Sequence, residues 1–308
     1  MLKRIWLGVF LISIFLSLVA CAKEPFTKEE EKTFMNEYMD MATKPSEPQV
    51  LEAKMKPNLD RLSKEGSSNA IDGLLYAMYQ KLPTLTSKAE GLHDVMAAAK
   101  AKKIDLNQTE DAKKIEDQTL KAFVGEVLKD HFYFVEENGR ITVQPNMSYM
   151  LKNYEAYMTD SLKATIQFSE DEFEHPFYDA DTQKFNLDIV AKRILLLEDN
   201  LKKYANTYYA ETFKKSKEYY YQIYFGMNNE FLVDSKKFVL KEVIDHYQRT
   251  SKEYPQSQLS KDILAYLGKL KISHNQVTDD IQVFLTGIAN VQTVDVVNDG
   301  STLKKNTK

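Results

Sequence analysis

One cysteine, one tryptophan and ten glycines are all that 308 residues hold of these three types. A lone cysteine forbids an intramolecular disulfide and any metal site built from several thiolates. The scarce glycines stand apart, so no phosphate-cradling loop occurs, and neither a G-x-S-x-G elbow nor an H-E-x-x-H pair is present. The five histidines, His93, His131, His175, His246 and His274, are dispersed and read as surface or capping residues. Positive charge is also short. Lys and Arg number 41 against 45 Asp and Glu, a net charge of −4, with the two signs mixed along the chain. No basic field exists to attract nucleic acid. Beyond residue 18 no apolar run approaches the ~20 residues of a membrane-spanning helix.

What is present begins at the N-terminus. Lys3 and Arg4 form a basic start, Ile5 to Leu18 are almost wholly apolar, and Leu18-Val19-Ala20-Cys21 places a small residue before the only cysteine. The tryptophan, Trp6, lies inside this leader. The segment resembles the lipobox of bacterial lipoproteins. The resemblance implies that residues 1–20 are a signal peptide and that Cys21 receives a thioether-linked diacylglycerol and becomes the mature N-terminus. The other readings are an ordinary secretory signal or a single-span anchor, for which the apolar run is short. With the thiol acylated, cysteine catalysis is excluded, and the lipid is the sole anchor, supplying the two chains that stable attachment needs. The protein would then sit on the extracytoplasmic side of the cell membrane. An outer membrane is open to it where the cell has one, since Ala22 is not an inner-membrane retention residue.

The mature chain reads as mainly α, built of antiparallel helical hairpins or an irregular bundle or solenoid. Residues 21–26 form a short tether, 27–130 an N-terminal helical region, 131–145 a β-hairpin and 146–292 a C-terminal helical region. Thr27-Lys28-Glu29-Glu30 is a capping box, and Phe34, Tyr38 and Met41 give its helix an apolar face. Pro45 and Pro48 are expected to break that helix. Leu51, Met55, Leu59 and Leu62 mark a second, stopped by Gly66, and Ile71, Leu74, Met78 and Leu82 a third, ended by Pro83. A fourth, about 86–103, turns Leu92, Met96 and Ala99 inward. Asn107 with Glu110 caps a fifth, carrying Ile115, Phe123 and Val127. The period then changes. His131-Phe132-Tyr133-Phe134-Val135 and Ile141-Thr142-Val143 flank Asn138-Gly139, the strongest short hairpin signal.

The second half returns to helical spacing. Leu151, Tyr154, Met158 and Leu162 define one helix, and Ser169 to Asp181 an acidic connection around Pro176. Leu187, Val190, Ile194, Leu197, Leu201, Tyr204 and Tyr208 form the cleanest stripe, which fails near Asn206. An aromatic helix follows to Tyr224, with Gly226 where a C′ glycine belongs. Leu240, Val243, Ile244 and Tyr247, the turn Tyr254-Pro255-Gln256-Ser257, and Leu259, Ile263, Tyr266 and Leu270 make a helix pair. A last short helix runs from Thr278 to about Val291, and 293–308 reads as a disordered tail. Through Tyr247, that turn and Tyr266-Leu267-Gly268, residues 236–268 resemble a degenerate tetratricopeptide-like hairpin.

Two clusters carry possible chemistry. Glu170, Asp171, Glu172, Glu174, His175, Asp179 and Asp181 have the composition of a calcium loop. However, Lys184 stands where the turning glycine belongs and Val190 where the bidentate glutamate belongs, so the segment reads as an acidic loop with Asn186 as a helix cap, and no metal or cofactor is assigned. The second cluster is Tyr204, Tyr208, Tyr209, Tyr219, Tyr220, Tyr221 and Tyr224. Three consecutive tyrosines cannot share one helix face, so Tyr219 or Tyr221 is expected at the surface as a partner-binding candidate. The favoured function is a membrane-tethered, non-catalytic envelope lipoprotein that binds another envelope protein. The alternatives are a ligand-binding lipoprotein that captures a peptide, glycan or small molecule, and a cell-wall-directed hydrolase using acidic-loop carboxylates.

Overall fold

The computed structural model describes residues 24–137, 139–179, 184–227 and 230–289. Cys21 and its leader, Asn138, Asp181 and the tail lie outside them. The chain is mainly helical, with two small antiparallel hairpins, and divides into two compact units, Met1–Gln167 and Phe168–Lys308. The division falls later in sequence than the 131–145 hairpin expected to separate the helical regions.

Unit 1 opens with α1, Lys28–Ala42. Its capping box is formed: Glu30 N–H donates to Thr27 Oγ1 (3.3 Å) and Thr27 N–H to Glu30 Oε2 (2.8 Å). Just upstream, residues of the expected tether are strapped down. Phe26 N–H donates to the Arg61 carbonyl (2.8 Å), Arg61 Nε donates to the Glu24 carbonyl (3.0 Å), and the guanidinium lies 3.9 Å over the Phe26 ring. Pro48 does not simply break a helix. It opens α2, Pro48–Met55, as an N-terminal residue whose missing N–H needs no partner there. A 3-10 turn, Lys56–Arg61, carries the Leu51, Met55, Leu59 stripe onward, and all three are buried.

Two expected helix stops fail. Gly66 lies in the first turn of α3, Lys64–Gly91, where its N–H donates to the Ser63 cap (3.0 Å) and the Glu31 carboxylate occupies the place of a Cβ. Pro83 lies inside the same helix. The inward stripe of Ile71, Leu74 and Met78 continues through Leu85 and Ala89, both fully buried, while Pro83 itself faces solvent. Burying a leucine stabilises by about 1.5–3 kcal/mol, enough with Ala89 to offset the ~3 kcal/mol an interior proline costs.

Next, α4, His93–Ala101, turns Met96 and Ala99 inward. Asn107 does not cap the short α5, Thr109–Ala112. Its side-chain amide is committed to Phe134 instead, and Asp117 caps α6, Gln118–Lys129, by accepting Leu120 N–H (2.8 Å). The hairpin forms as read: β1, Phe132–Glu137, pairs with β2, Arg140–Pro145, from Phe132↔Pro145 to Glu137↔Arg140. Gly139 has φ +74°, the left-handed region its turn requires. Phe132, Phe134, Ile141 and Val143 are buried, and β2 packs on α3 while β1 meets α6. The single helix expected over 151–162 is two. The first, α7, Met147–Tyr154, ends in a 3-10 turn, and Met158 is extended before α8, Asp160–Glu174. The break lets the Thr159 hydroxyl meet Ser68 (2.9 Å), and Tyr154, Met158 and Leu162 stay buried across it.

Because α8 runs to Glu174, the first six residues of the expected acidic connection, 169–174, are helix. A second hairpin, β3 (Tyr178–Asp179) with β4 (Lys184–Phe185), follows. Asn186 then caps α9, Leu187–Lys203, whose Val190, Ile194 and Leu197 are fully buried. α10, Ala210–Tyr224, packs along α9 and ends in a Schellman arrangement: Gly226 (φ +70°) donates to Ile223 (3.2 Å) and Met227 to Gln222 (3.0 Å). The helix pair is present as α11, Lys241–Glu253, and α12, Gln258–Ile272, with α13, Asp279–Ile288, against α12. Its core is aromatic, with the Phe225 ring 5.3–5.8 Å from Tyr221, Tyr224, Tyr247 and Tyr266.

Candidate functional site

Of the two nominated tyrosines, one meets solvent. Tyr219 is 52% exposed, whereas Tyr221 is 1% exposed and is no surface residue. Successive helical positions differ by ~100°, so the two flank Tyr220, and the Tyr221 side faces protein. Its hydroxyl donates to Asp262 (3.0 Å) and Glu198 (3.3 Å). Glu198 in turn accepts the first backbone N–H groups of α12, from Gln258 (3.0 Å) and Leu259 (2.8 Å), so a buried carboxylate caps that helix. Asp179 lies exposed on β3, and among the described residues no three metal-ligating side chains converge.

Tyr219 stands at one end of a continuous strip of rings. Its centroid is 5.3 Å from Tyr220, which is 5.7 Å from Phe177. Phe177 stacks on Phe185 (5.8 Å), and Phe185 meets Tyr178 (5.1 Å) and Phe231 (5.3 Å). Phe231, at the far end, is 49% exposed, and Phe177, Tyr178 and Phe185 are half-buried. The second hairpin builds the middle of the strip: Tyr178 pairs with Phe185, and Asn186 N–H donates to the Phe177 carbonyl (2.7 Å).

Under the strip lies Arg193, only 2% exposed. Nε donates to Asp171 Oδ2 (3.1 Å), one terminal nitrogen to the carbonyls of Asp171 and His175 (both 2.7 Å), and the other to the Tyr220 hydroxyl (3.1 Å). The Tyr220 hydroxyl in turn donates a hydrogen bond to Glu172 Oε1 (2.5 Å). Burial raises the Glu172 carboxyl above its ordinary range, against the pull of the Tyr220 hydrogen bond and the Arg193 charge. The guanidinium also lies 5.9 Å from the Phe177 ring centre and 5.5 Å from that of Tyr220. This network holds the rings in one arrangement. The strip therefore presents preordered aromatic surface, which suits recognition. Sequence reasoning missed Arg193, although it stands three residues after Val190 and four before Leu197, on the inward stripe.

Of the histidines read as surface or capping residues, His246 is buried, and His131 is half-buried at the C-terminal end of α6. In unit 1, His131 Nε2 (2.6 Å), Tyr149 (2.5 Å) and Tyr154 all donate to the Glu52 carboxylate, and the His131 ring stacks 3.7 Å from Tyr149. Burial opposes ionisation of Glu52, but these three donors and the His131 charge outweigh it and hold its pKa at about 2. In unit 2, His246 sits 3.2 Å from Asp188 through Nδ1, and Nε2 receives the Tyr224 hydroxyl (2.9 Å). Elsewhere in unit 1, Lys81 bridges Glu47, Glu126 (3.2 Å) and Asp130 (2.6 Å). Asp130 is 1% exposed, and its Oδ1 has no hydrogen-bond partner among the described residues.

No family model, curated protein or solved structure matches the chain.

Proposed function

We propose that this chain is a cell-envelope lipoprotein, tethered through a diacylated Cys21, whose unit 2 binds an envelope protein through the aromatic strip without catalysing a reaction. The observation that carries the reading is the order basic start, apolar run, Leu18-Val19-Ala20-Cys21. Two further observations support it. Among the described residues no helix is long and apolar enough to cross a membrane. The strip ends in two large exposed rings over a network whose hydrogen bonds are internal, as an interaction surface requires.

The anchor is tested in cells fed labelled palmitate. The wild-type chain should take up label and sediment with membranes, and Cys21→Ala should do neither. Unchanged labelling and sedimentation in the variant would remove the lipoprotein reading. The surface is tested with a photo-crosslinking residue at Tyr219 or Phe231, and at Leu196, exposed elsewhere on unit 2, as control. A discrete adduct at both strip positions and none at Leu196 is the expected outcome. Adducts of equal yield at all three positions would remove the strip as the binding site.

A further inference from the structure

We propose that the cleft between β1 and the end of α4 binds a small zwitterion with an apolar side chain, a free amino acid or a dipeptide. The site lies in unit 1 and depends neither on the lipid anchor nor on the aromatic strip. The cleft holds about 340 Å³, at the small end of the ~300–1,000 Å³ range of ligand pockets. Its floor is apolar, made by the mostly buried Ile104, Leu106, Phe134 and Ile141.

Four charged side chains stand at the rim, two of each sign. Lys100 of α4 and Glu136 of β1 neutralise each other in an ion pair. Lys103 and Asp105 are exposed and form no ion pair among the described residues, not even with one another. The free charges therefore sum to zero, yet they stand apart as one cation and one anion. A ligand of single charge answers only one of them. A ligand with a carboxylate and an ammonium answers both, the carboxylate at Lys103 and the ammonium at Asp105, and lays its side chain on the apolar floor.

The backbone holds both charges in place. Lys103 closes α4 in a Schellman arrangement: its N–H donates to the Lys100 carbonyl (2.7 Å), and Ile104 N–H donates to the Ala99 carbonyl (3.2 Å). Its φ is +60°, the left-handed region where glycine is the usual residue and a side chain is strained. A lysine kept at such a position points to a use for its side chain. Asp105 is fixed from two sides. Its Oδ1 accepts the Asn107 backbone N–H (2.9 Å), and its own N–H donates to Asp111 Oδ2 (3.1 Å). Asp105 Oδ2 is left open to a ligand.

The test uses the full-length protein in detergent and calorimetric titration with L-leucine and with leucyl-leucine. Saturable binding of at least one is expected below millimolar concentration. Acetylating its amino end or amidating its carboxyl end should each weaken binding about tenfold or more. Each of two variants should erase one of these preferences. Asp105→Asn, which keeps the turn bond to Asn107, should bind the free and acetylated forms alike. Lys103→Gly, which relieves the left-handed strain and so keeps the fold, should bind the free and amidated forms alike. The proposal is overturned if neither ligand binds saturably up to millimolar concentration, if blocking either end leaves affinity unchanged, or if either variant keeps the wild-type discrimination.

Discussion

At the scale of single residues, the stability of unit 1 leans on charges drawn inward. Glu52 ties α2, the start of β1 and α7 together through His131, Tyr149 and Tyr154. Hydrogen bonds to a charged group contribute roughly 1.5–3 kcal/mol each, so Glu52→Gln, which keeps the shape and loses the charge, should cost about 2 kcal/mol or more in a urea titration. Lys81 is a sharper case. Its three carboxylate partners raise its pKa although burial opposes the charge, and Asp130 beside it is buried with one oxygen unpartnered among the described residues. Lys81→Met should destabilise by about 3–5 kcal/mol, since it leaves Asp130 buried and unpaired. The double variant Lys81→Met with Asp130→Leu should recover most of that loss. No recovery would mean that the methylene stem of Lys81, not its charge, carries the effect.

At the scale of elements, helix ends and glycines give the clearest expectations. Pro83 sits in the exposed turn of α3, so Pro83→Ala should stabilise unit 1 by about 1–3 kcal/mol, read as a higher urea midpoint. Gly226 has φ +70°, and a Cβ there would stand 3.2 Å from Leu232, so Gly226→Val should cost about 1 kcal/mol or more. Much of this was legible in sequence. The stripe of Leu259, Ile263, Tyr266 and Leu270, the capping box at Thr27, the first hairpin and the C′ glycine each rest on a local rule that tertiary structure left intact. What escaped depended on distant partners. The breaker rule that makes Pro83 a stop is local, whereas burial of Leu85 and Ala89 is not. Asn107 has the sequence context of a cap, and the strand edge it serves lies 27 residues away. Two of the strip's six rings, Tyr219 and Tyr220, are visible in the tyrosine cluster. The other four, Phe177, Tyr178, Phe185 and Phe231, are scattered in sequence, and the two-residue ladder that brings Tyr178 to Phe185 is too short to leave a pattern.

At the scale of the whole molecule, the two units should lose stability at different acidities. Burial, aided by the Arg249 charge and opposed by Asp188, lowers the His246 pKa below its ordinary value of 6.5. A neutral histidine is then favoured by folding. Its contribution is complete above about pH 6.5 and is lost as the pH falls below that value, because the unfolded state takes the proton first. Glu52 works in a lower window. With a folded pKa of about 2 against an ordinary 4.5, its contribution is complete above about pH 4.5 and lost between there and pH 2. Hydrogen exchange followed by proteolytic fragments should therefore show protection falling in unit 2 first, once the pH drops below 6.5, with unit 1 following only below pH 4.5. Simultaneous loss in both units would contradict this assignment of the titrating groups.

The strap at Glu24 to Phe26 fixes a length. Three peptide links separate Cys21 from Glu24, and extended chain covers at most ~3.6 Å per residue, so the leash is no longer than about 11 Å. If Cys21 carries the proposed lipid, unit 1 can rise from the bilayer by little more than the thickness of its headgroup layer. Such a protein patrols a thin slab and meets partners by lateral drift, at the local concentration that confinement imposes. Arg61→Ala would release Glu24 and the Phe26 ring from the guanidinium but keep the Phe26 N–H bond to the residue-61 carbonyl, so the reach would grow to about 18 Å. A partner held farther from the membrane would then come within range, while one lying in the headgroup plane would be met less often.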